Sequence, residues 1–353
     1  MTNLKHKRLP VGIQSFQEIR EDGYVYVDKT DLVWYMVNRG DKYNYLSRPR
    51  RFGKSVLIDT LQMYLEGRKE LFEGLKIMEL EHDWVKYPVI RLDMSEGGDT
   101  SFGIESYLNN KFKKYEKLYD VTLSKEDSLT VRFSNIIEAA YEKTGQRVAV
   151  LIDEYDSPLQ HSWNTSEHIG CTNVYRNVFA VLKSATKYEK FVFITGITKF
   201  TQISLFSVLN NLTNISFLPE YATICGITEQ EVTEYFTEDI SLLAGTNGWT
   251  EQETHRRLKE YYDGYHFCDK NMTDIYNPFS FINALKHKRI SNYWAASGAT
   301  ILLSKFISDM EIKLDNFDNC SILRNTLETS DVTDGGAELF LFQSGYLTIK
   351  HAD

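Results

Sequence analysis

The chain has 353 residues, of which 42% are hydrophobic, 25% charged and 13% aromatic, and its formal net charge is −9. This length exceeds one compact domain of ordinary size, so we expect one large domain with one or two smaller ones. The composition excludes extended disorder, and the negative charge excludes a globally basic nucleic-acid-binding protein, although not a local basic groove.

Cysteine spacing and hydropathy bear on the compartment. Cys171, Cys225, Cys268 and Cys320 lie far apart without a CxxC pair, which predicts reduced structural thiols and neither a zinc site nor a redox pair. Residues 1–10 are basic but lack the apolar core of a secretory signal, and no apolar run approaches the length of a membrane span. We therefore expect a soluble cytoplasmic protein without a membrane segment.

The first predicted elements form an N-terminal lead, which is followed by a strand, a loop and a helix. Residues 10–30 predict a short helix or turn followed by a strand edge, and residues 31–39 predict a helix that Gly40 ends. A short strand is predicted at 42–46. Apolar residues on one face predict a helix over 54–66, directly after Gly53-Lys54-Ser55.

Further along, three short apolar runs at 88–92, 148–152 and 191–195 alternate with longer helical stretches, a pattern typical of a buried parallel sheet. The crossover helices are predicted at 102–119, 128–144 and 171–188. Beyond about Pro219 the pattern becomes mainly helical. The predicted elements there are helices at 228–244, 250–262 and 276–285, and a helix turning into a strand at 339–349.

Residues 48–55, Arg-Pro-Arg-Arg-Phe-Gly-Lys-Ser, contain the end of a phosphate-loop pattern. Such a loop needs backbone N–H groups and a helix N-terminus at the phosphates, a Lys for the outer phosphates and a hydroxyl for Mg²⁺. The full pattern GxxxxGK[ST] has Gly where Arg48 stands, so the motif alone is also consistent with a surface turn. Arg50 and Arg51 either bind phosphate or stay solvated. The candidate nucleotide-binding residues are Arg48, Pro49, Arg50, Arg51, Phe52, Gly53, Lys54, Ser55 and Val56.

A second signal strengthens the first, because the apolar strand at 148–152 ends in Asp153-Glu154. In a P-loop ATPase the first acid holds the Mg²⁺ shell and the second polarises the attacking water. The metal candidates are therefore Ser55 and Asp153, and the catalytic candidates are Lys54 and Glu154. An exposed strand end with two solvated acids is the alternative, which the phosphate-loop motif disfavours.

Other polar residues leave alternatives open. Thr195, Thr198 and Lys199 follow a predicted strand, where they either sense the γ-phosphate or form an ordinary turn. Asp28-Lys29 either shapes the nucleotide pocket or forms an ion pair at a strand edge. Arg132, Arg147 and Arg176 are equal candidates for an arginine finger, and Lys286, Lys288 and Arg289 form either a nucleic-acid-binding face or a solvated helix end.

Together these passages resemble the bacterial and archaeal AAA-ATPase-like family, whose members usually carry a PD-(D/E)XK nuclease-like domain at the C-terminus. The likeness lies in residues 9–16, 26–30, 48–55, 151–158 and 195–200 with 204–211. In that family Arg-Pro-Arg-Arg-Phe is the normal form of the phosphate loop, so the resemblance implies ATP binding with Mg²⁺ despite Arg48. It also implies a role in mobile elements or defence, with nucleic acid contacted through a nuclease-like domain before which we expect this chain to be truncated.

The sequence thus predicts an α/β fold: a P-loop NTPase core with a parallel sheet and flanking helices, a smaller C-terminal helical lid and a winged-helix-like region. The expected divisions are a lead at 1–40 that contributes to the nucleotide pocket, a core at 41–218, a lid at 219–300 and a winged-helix-like end at 301–353. We expect Mg²⁺-dependent ATP hydrolysis that couples nucleotide state to a partner or attached domain, in a chain that could oligomerise. The alternatives are a scaffold that binds nucleotide without hydrolysis, and a nucleic-acid-binding module that uses the winged-helix-like end.

Overall fold

The computed structural model describes residues 7–122, 124, 127–199, 212–294, 320–329 and 336–351. Elements are numbered along these residues. The helices are α1 Phe16–Glu21, α2 Thr30–Asn38, α3 Lys54–Leu65, α4 Ser101–Leu118, α5 Leu129–Thr144, α6 Ser157–Ser162, α7 His168–Phe179, α8 Val181–Ser184, α9 Glu229–Tyr235, α10 Thr237–Asn247, α11 Glu251–Tyr262, α12 Pro278–His287, α13 Arg324–Thr329 and α14 Gly336–Ser344. The strands are β1 Tyr43–Ser47, β2 Val89–Asp93, β3 Val148–Asp153, β4 Glu189–Gly196, β5 Thr213–Asn214, β6 Ile227–Thr228 and β7 Ile275–Tyr276.

A five-stranded parallel sheet forms the centre of the molecule, in the order β2-β3-β4-β1-β5. Strand β4 therefore lies between β1, which leads into the Gly53 loop, and β3, which ends at Asp153. Because every neighbouring pair is parallel, the carboxyl ends of all these strands lie at one edge of the sheet. This topology confirms the predicted α/β fold with a parallel sheet.

Both faces of the sheet are covered, because successive strand residues point to opposite sides. In β3, Val148, Val150 and Ile152 pack into the cluster formed with α4, α5 and α7. Ala149 and Leu151 pack instead into the cluster that holds α2 and α3. All five side chains are fully buried, which explains why this strand appears in the sequence as a continuous apolar run.

Most predicted core elements are confirmed, and the differences are local. The helix expected over 171–188 is divided into α7, α8 and a 3-10 turn at Thr186–Tyr188, and the one over 228–244 is interrupted at Phe236. The strand edge expected before Thr30 is wrong, because those residues form only a single bridge between Arg8 and Tyr24. The lead is instead held by side-chain contacts to its neighbours.

A third, smaller hydrophobic cluster holds the lid, here defined as residues 219–294. Its helices α9 to α12 pack around Val232, Phe236 and Phe281, and β6 pairs antiparallel with β7. Leu9 and Val25 of the lead are buried in the same cluster. The lead is therefore packed against the lid although it precedes the core in sequence.

The described C-terminal residues lie against the core and the lid. Phe340 of α14 is buried in the sheet cluster, and Trp294 contacts Tyr346 with ring centroids 4.7 Å apart. The strand expected at the end of 339–349 is wrong, because residues 345–351 form no strand. About half of the expected winged-helix-like end, including 301–319, lies outside the described residues. Among the helices described above, none has both the length and the apolarity needed to cross a bilayer.

Candidate functional site

The loop between β1 and α3 carries the predicted phosphate-binding motif. Its backbone takes left-handed conformations at Arg51, with φ 68°, and at Gly53, with φ 90°, and Gly53 is the N-cap of α3. The left-handed conformation is natural for Gly53 and unusual for Arg51. The turn at Gly53 leaves the first N–H groups of α3 without helical partners, at the end of the helix that favours anions.

Arg48, which stands where the motif has its first glycine, is one of the most deeply buried side chains of the chain. Its guanidinium donates hydrogen bonds to the carbonyls of Ser47 and Ser216, both at 2.9 Å, and of Tyr221 at 3.0 Å. It also lies 4.2 Å above the Phe267 ring, and burial lowers its pKa to about 10. The Arg48 side chain therefore anchors the loop entry to the lid and does not line the cavity described below.

Other loop side chains also contact the lid. Phe52 is buried with its ring edge-on to Tyr265 and Phe267, at centroid distances of 4.9 and 5.3 Å. The guanidinium of Arg51 lies 4.8 Å from the centre of the Phe279 ring on α12. The conformation of the loop between β1 and α3 is thus tied to the position of the lid by aromatic packing.

Lys54 is the first residue of α3, and its ammonium is buried. Nζ donates to the carbonyls of Arg48 at 2.9 Å and Pro49 at 3.0 Å, so the lysine currently closes the loop on itself. Burial lowers its pKa, while the nearby carboxylates of Glu154, Asp153 and Asp156 oppose that shift. Lys54 thus lies within electrostatic range of the acids at the end of β3.

Asp153 ends β3 and is almost completely buried. Its Oδ1 accepts hydrogen bonds from the Thr195 hydroxyl at 2.9 Å and from the backbone N–H of Glu154 at 3.0 Å. Because β3 and β4 are neighbours, the carboxylate is held by the end of the adjacent strand. The structure therefore gives Thr195, one of the three polar residues predicted at the end of β4, a defined partner.

Glu154 follows in a left-handed conformation, with φ 46°. Such a conformation is uncommon for a non-glycine residue and turns the chain sharply after the strand. Burial raises the pKa of the Glu154 carboxyl, with Lys54 lowering it and Asp153 raising it further. A raised pKa brings a carboxylate closer to the range in which it can accept a proton at neutral pH.

Sequence reasoning gave no role to Asp156, which organises the end of β4. Its Oδ2 accepts from the backbone N–H of Ile197 at 3.0 Å and of Thr198 at 2.6 Å, and from the Thr198 hydroxyl at 2.7 Å. Gln160 of α6 donates to the same oxygen. The signal for Asp156 was its place two residues after Glu154 at a strand end, where an acid can satisfy N–H groups of the next strand.

The backbone N–H of Lys199 donates to Oε1 of Gln343 on α14 at 3.0 Å. Two further contacts connect the C-terminal residues to the site. Gly345, with φ 87°, lies so close to Pro49 that an added Cβ would come within 2.7 Å of its side chain. His266 donates its backbone N–H to the Thr348 hydroxyl at 2.7 Å. The C-terminal residues thus contact the loop entry, the end of β4 and the lid.

A cavity of about 530 Å³ opens above the loop, within the range of small-molecule sites. The predicted residues that line it are Arg50, Arg51, Phe52, Gly53, Lys54, Ser55, Val56 and Glu154. Arg48, Pro49 and Asp153 do not line it. Sequence reasoning missed other residues on its wall, among them Gln14, Ser95, Ser157, His161, Cys225 and Ile282. Gln14 belongs to the lead, which was expected to contribute to the pocket without named residues, whereas Cys225 and Ile282 come from the lid, whose apposition to the loop no local pattern indicates.

The candidate arginine fingers occupy different environments. Arg132 is buried and forms an ion pair with Glu116 through Nε at 2.6 Å and Nη2 at 3.0 Å, so it is committed inside the core. Arg147 is exposed and precedes β3, which puts it at the edge of the sheet opposite the acids. Arg176 is exposed on α7. Lys286, Lys288 and Arg289 are exposed where α12 ends, a favourable place for cations.

Two residues carry oxygen groups that could hold a magnesium ion, of which Ser55 lines the cavity and Asp153 does not. Asp153 offers a buried carboxylate of fixed orientation, and Ser55 offers a hydroxyl in the first turn of α3. Mg²⁺ takes one or two protein oxygens and completes its shell with waters and substrate phosphates. Over the described part of the chain, no three His, Cys, Asp or Glu side chains are grouped so as to hold a metal by themselves.

Two comparisons with known proteins found matches to this chain. A family model described as a predicted AAA-ATPase matches residues 10–206, which include most of the lead, the loop and the acids. An uncharacterized protein in the vnfD 5' region of Azotobacter chroococcum mcd 1 is 31% identical over 350 residues. The alignment covers 98% of this chain and 65% of that protein, so the chain spans about two thirds of the length of this curated relative.

Proposed function

The chain belongs to the predicted AAA-ATPase family, and we propose that it binds ATP with Mg²⁺ in the cavity above the Gly53 loop and hydrolyses it. The observation that carries this proposal is the convergence of Lys54 and Glu154 on one cavity from two different strand-to-helix connections. A cation at a helix N-terminus and an acid of raised pKa facing the same space provide what phosphoryl transfer to water requires.

In this proposal the triphosphate lies over the N-terminus of α3. Lys54 exchanges its hydrogen bonds to the carbonyls of Arg48 and Pro49 for the β- and γ-phosphates, which preserves its charge in a buried position. The base lies against the apolar wall that the lead and lid provide. That wall includes Ile13, Ile227, Phe236, Phe279 and Ile282.

Hydrolysis needs a water in line with the γ-phosphorus and a group that takes its proton. Glu154 would hold that water and accept the proton while the water oxygen bonds to phosphorus and the bond to the β-bridging oxygen breaks, giving ADP and phosphate. Ser55 and Asp153 would hold the Mg²⁺. When bound, that ion neutralises charge on the phosphates.

We further propose that the nucleotide state is coupled to a partner or attached domain. The support is the set of contacts by which residues 343–349 meet the loop entry at Pro49, the end of β4 at Lys199 and the lid at His266. A change at the phosphates that moves the loop or the end of β4 would have to move these residues too, because close-packed contacts transmit displacement.

The test is steady-state ATP hydrolysis by the wild type and by Glu154→Gln, with calorimetric affinity for Mg²⁺-ATP measured for both and for Lys54→Ala. We expect Glu154→Gln to bind ATP normally and to lose about 100-fold or more in kcat, and Lys54→Ala to lose binding. Binding without turnover in the wild type would favour a non-hydrolysing scaffold. Absence of Mg²⁺-dependent binding in the wild type would overturn the proposal.

A further inference from the structure

A buried ion pair crosses from the lead to the lid beside the cavity. Nζ of Lys29 lies 2.5 Å from Oε1 of Glu231, and only 11% and 14% of the two side chains are exposed. Lys29 also lines the cavity, whereas Glu231 belongs to the first turn of α9. We propose that this pair is a clamp that fixes the base-side wall of the cavity, so that Lys29 is a positioning residue for the nucleoside part of the nucleotide. This inference rests on the proposed function.

The lead presents Lys29 from a fixed backbone. The carboxylate of Asp28 accepts from the backbone N–H of Thr30 at 2.9 Å through Oδ1 and from that of Lys76 at 2.7 Å through Oδ2. Upstream, the backbone N–H of Phe16 donates to Oδ2 of Asp59 on α3 at 2.7 Å. The lead is thus fastened to the helix that follows the phosphate loop.

The other half of the pair is equally constrained. Glu231 is the N3 residue of a capping box, in which its Oε2 accepts from the backbone N–H of Thr228 at 2.9 Å and its own N–H donates to the Thr228 hydroxyl. Thr228 belongs to β6, and the other residue of this strand, Ile227, lines the cavity. One carboxylate therefore joins Lys29 to the start of α9 and to the strand that forms the cavity wall.

The chemistry indicates that Lys29 acts through the lid and not on phosphate directly. Its ammonium already faces a buried carboxylate at close range, and removing it from that partner would leave a buried charge uncompensated. Buried ion pairs add little net stability, and in some proteins they fix one arrangement of the groups that they join. The arrangement fixed here is the position of α9 and β6 relative to the lead.

Lys29 could act as a clamp on the cavity wall or as a cation that binds phosphate. The two roles predict different losses of affinity for two ligands that share phosphate chemistry, ATP and tripolyphosphate. A clamp on the base-side wall should affect ATP and not inorganic tripolyphosphate, which has no base or ribose. A cation that binds phosphate should affect both. The measurement is calorimetric affinity of the full chain for ATP and for tripolyphosphate, each with Mg²⁺, for the wild type, Lys29→Met and the isosteric variant Glu231→Gln.

We expect each variant to weaken ATP binding about tenfold, roughly the loss of one orienting interaction, with tripolyphosphate affinity within about twofold of wild type. KM for ATP should rise while kcat at saturation stays near wild type. The double variant should lose no more affinity for ATP than either single variant, since both substitutions remove the same interaction. Arg132→Met is the matched control, because it breaks a buried ion pair outside the cavity and should leave both affinities unchanged.

Three results would overturn the inference. Unchanged ATP affinity in both Lys29→Met and Glu231→Gln would show that the pair has no part in binding. Equal losses for ATP and tripolyphosphate would make Lys29 a phosphate-binding residue instead of a clamp. Additive losses in the double variant would show that the two residues act separately. Failure of the proposed function is distinguishable from all three, because the wild type would then bind neither ligand.

Discussion

The hydroxyl of Thr195 donates to Oδ1 of Asp153 at 2.9 Å, and this bond joins the ends of two adjacent parallel strands. We predict that Thr195→Val weakens Mg²⁺ affinity in the presence of ATP by roughly tenfold, because partners that orient a metal-binding carboxylate commonly contribute that much. Thr195→Ser keeps the hydroxyl and should remain near wild type. Titration of ATP hydrolysis with Mg²⁺ measures the effect, and equal behaviour of the two variants would contradict it.

Arg48→Gly restores the glycine of the standard phosphate-loop pattern, yet we predict that it damages the protein. Three carbonyls, of Ser47, Ser216 and Tyr221, would lose their donor, and the ring of Phe267 would lose its guanidinium neighbour. We expect a loss of about 3 kcal/mol in the free energy of unfolding, together with weaker ATP binding. Urea denaturation measures the first quantity, and an unchanged midpoint would show that the anchor is dispensable.

The pH dependence of kcat/KM should reveal the environment of Glu154. A general base must be deprotonated, so activity falls as pH drops through its pKa, and burial raises that pKa in the free protein. The acidic limb should therefore lie above the range of an ordinary glutamate. ATP affinity of Glu154→Gln over the same pH range corrects for titration of the nucleotide itself. A limb at the ordinary glutamate pKa would contradict this reading of the site.

Glu189 predicts a separate effect of pH on stability. Burial raises its pKa from 4.5 to about 7, while the Tyr43 hydroxyl donates to its carboxyl at 2.5 Å. Because the folded state favours the neutral acid, the contribution of Glu189 to folding stability is complete below the unfolded pKa. It is lost as pH rises toward about 7. Glu189→Gln is permanently neutral at this position. Its free energy of unfolding, taken relative to that of the wild type, should therefore increase by about 2 kcal/mol from pH 5 to pH 8. Chemical denaturation at the two pH values tests this, and a constant difference would refute it.

The sequence predicts the sheet well because the relevant signals are local. A run such as Val148–Ile152 is buried on both faces, so its apolar character is visible without knowledge of its neighbours. The same holds for the helix after Gly53, where strand, turn and amphipathic helix follow one another directly. The Asp153-Glu154 pair could be singled out because charged residues at the end of a buried strand are conspicuous.

The remaining features depend on partners that are distant in sequence. Arg48 meets carbonyls of Ser216 and Tyr221, and Lys29 meets Glu231, so neither role follows from local spacing. No glycine or proline near Phe236 indicates in the sequence that the helix breaks there. Phe236 is also buried in the lid cluster, so tertiary packing decides there between one long helix and two shorter ones.

The strand order has a consequence for how the chain assembles. Strand β1 pairs with β4 and β5, with Tyr43 opposite Val192 and Asn44 opposite Thr213, and with no strand that follows it closely in sequence. A growing polypeptide therefore releases β1 long before either of its neighbours exists. Because pairing between such distant segments carries a high entropy cost, the sheet should close late and slowly. Fragments that stop before Glu189 should expose both edges of β1 and aggregate, whereas fragments that extend past Asn214 contain the complete sheet.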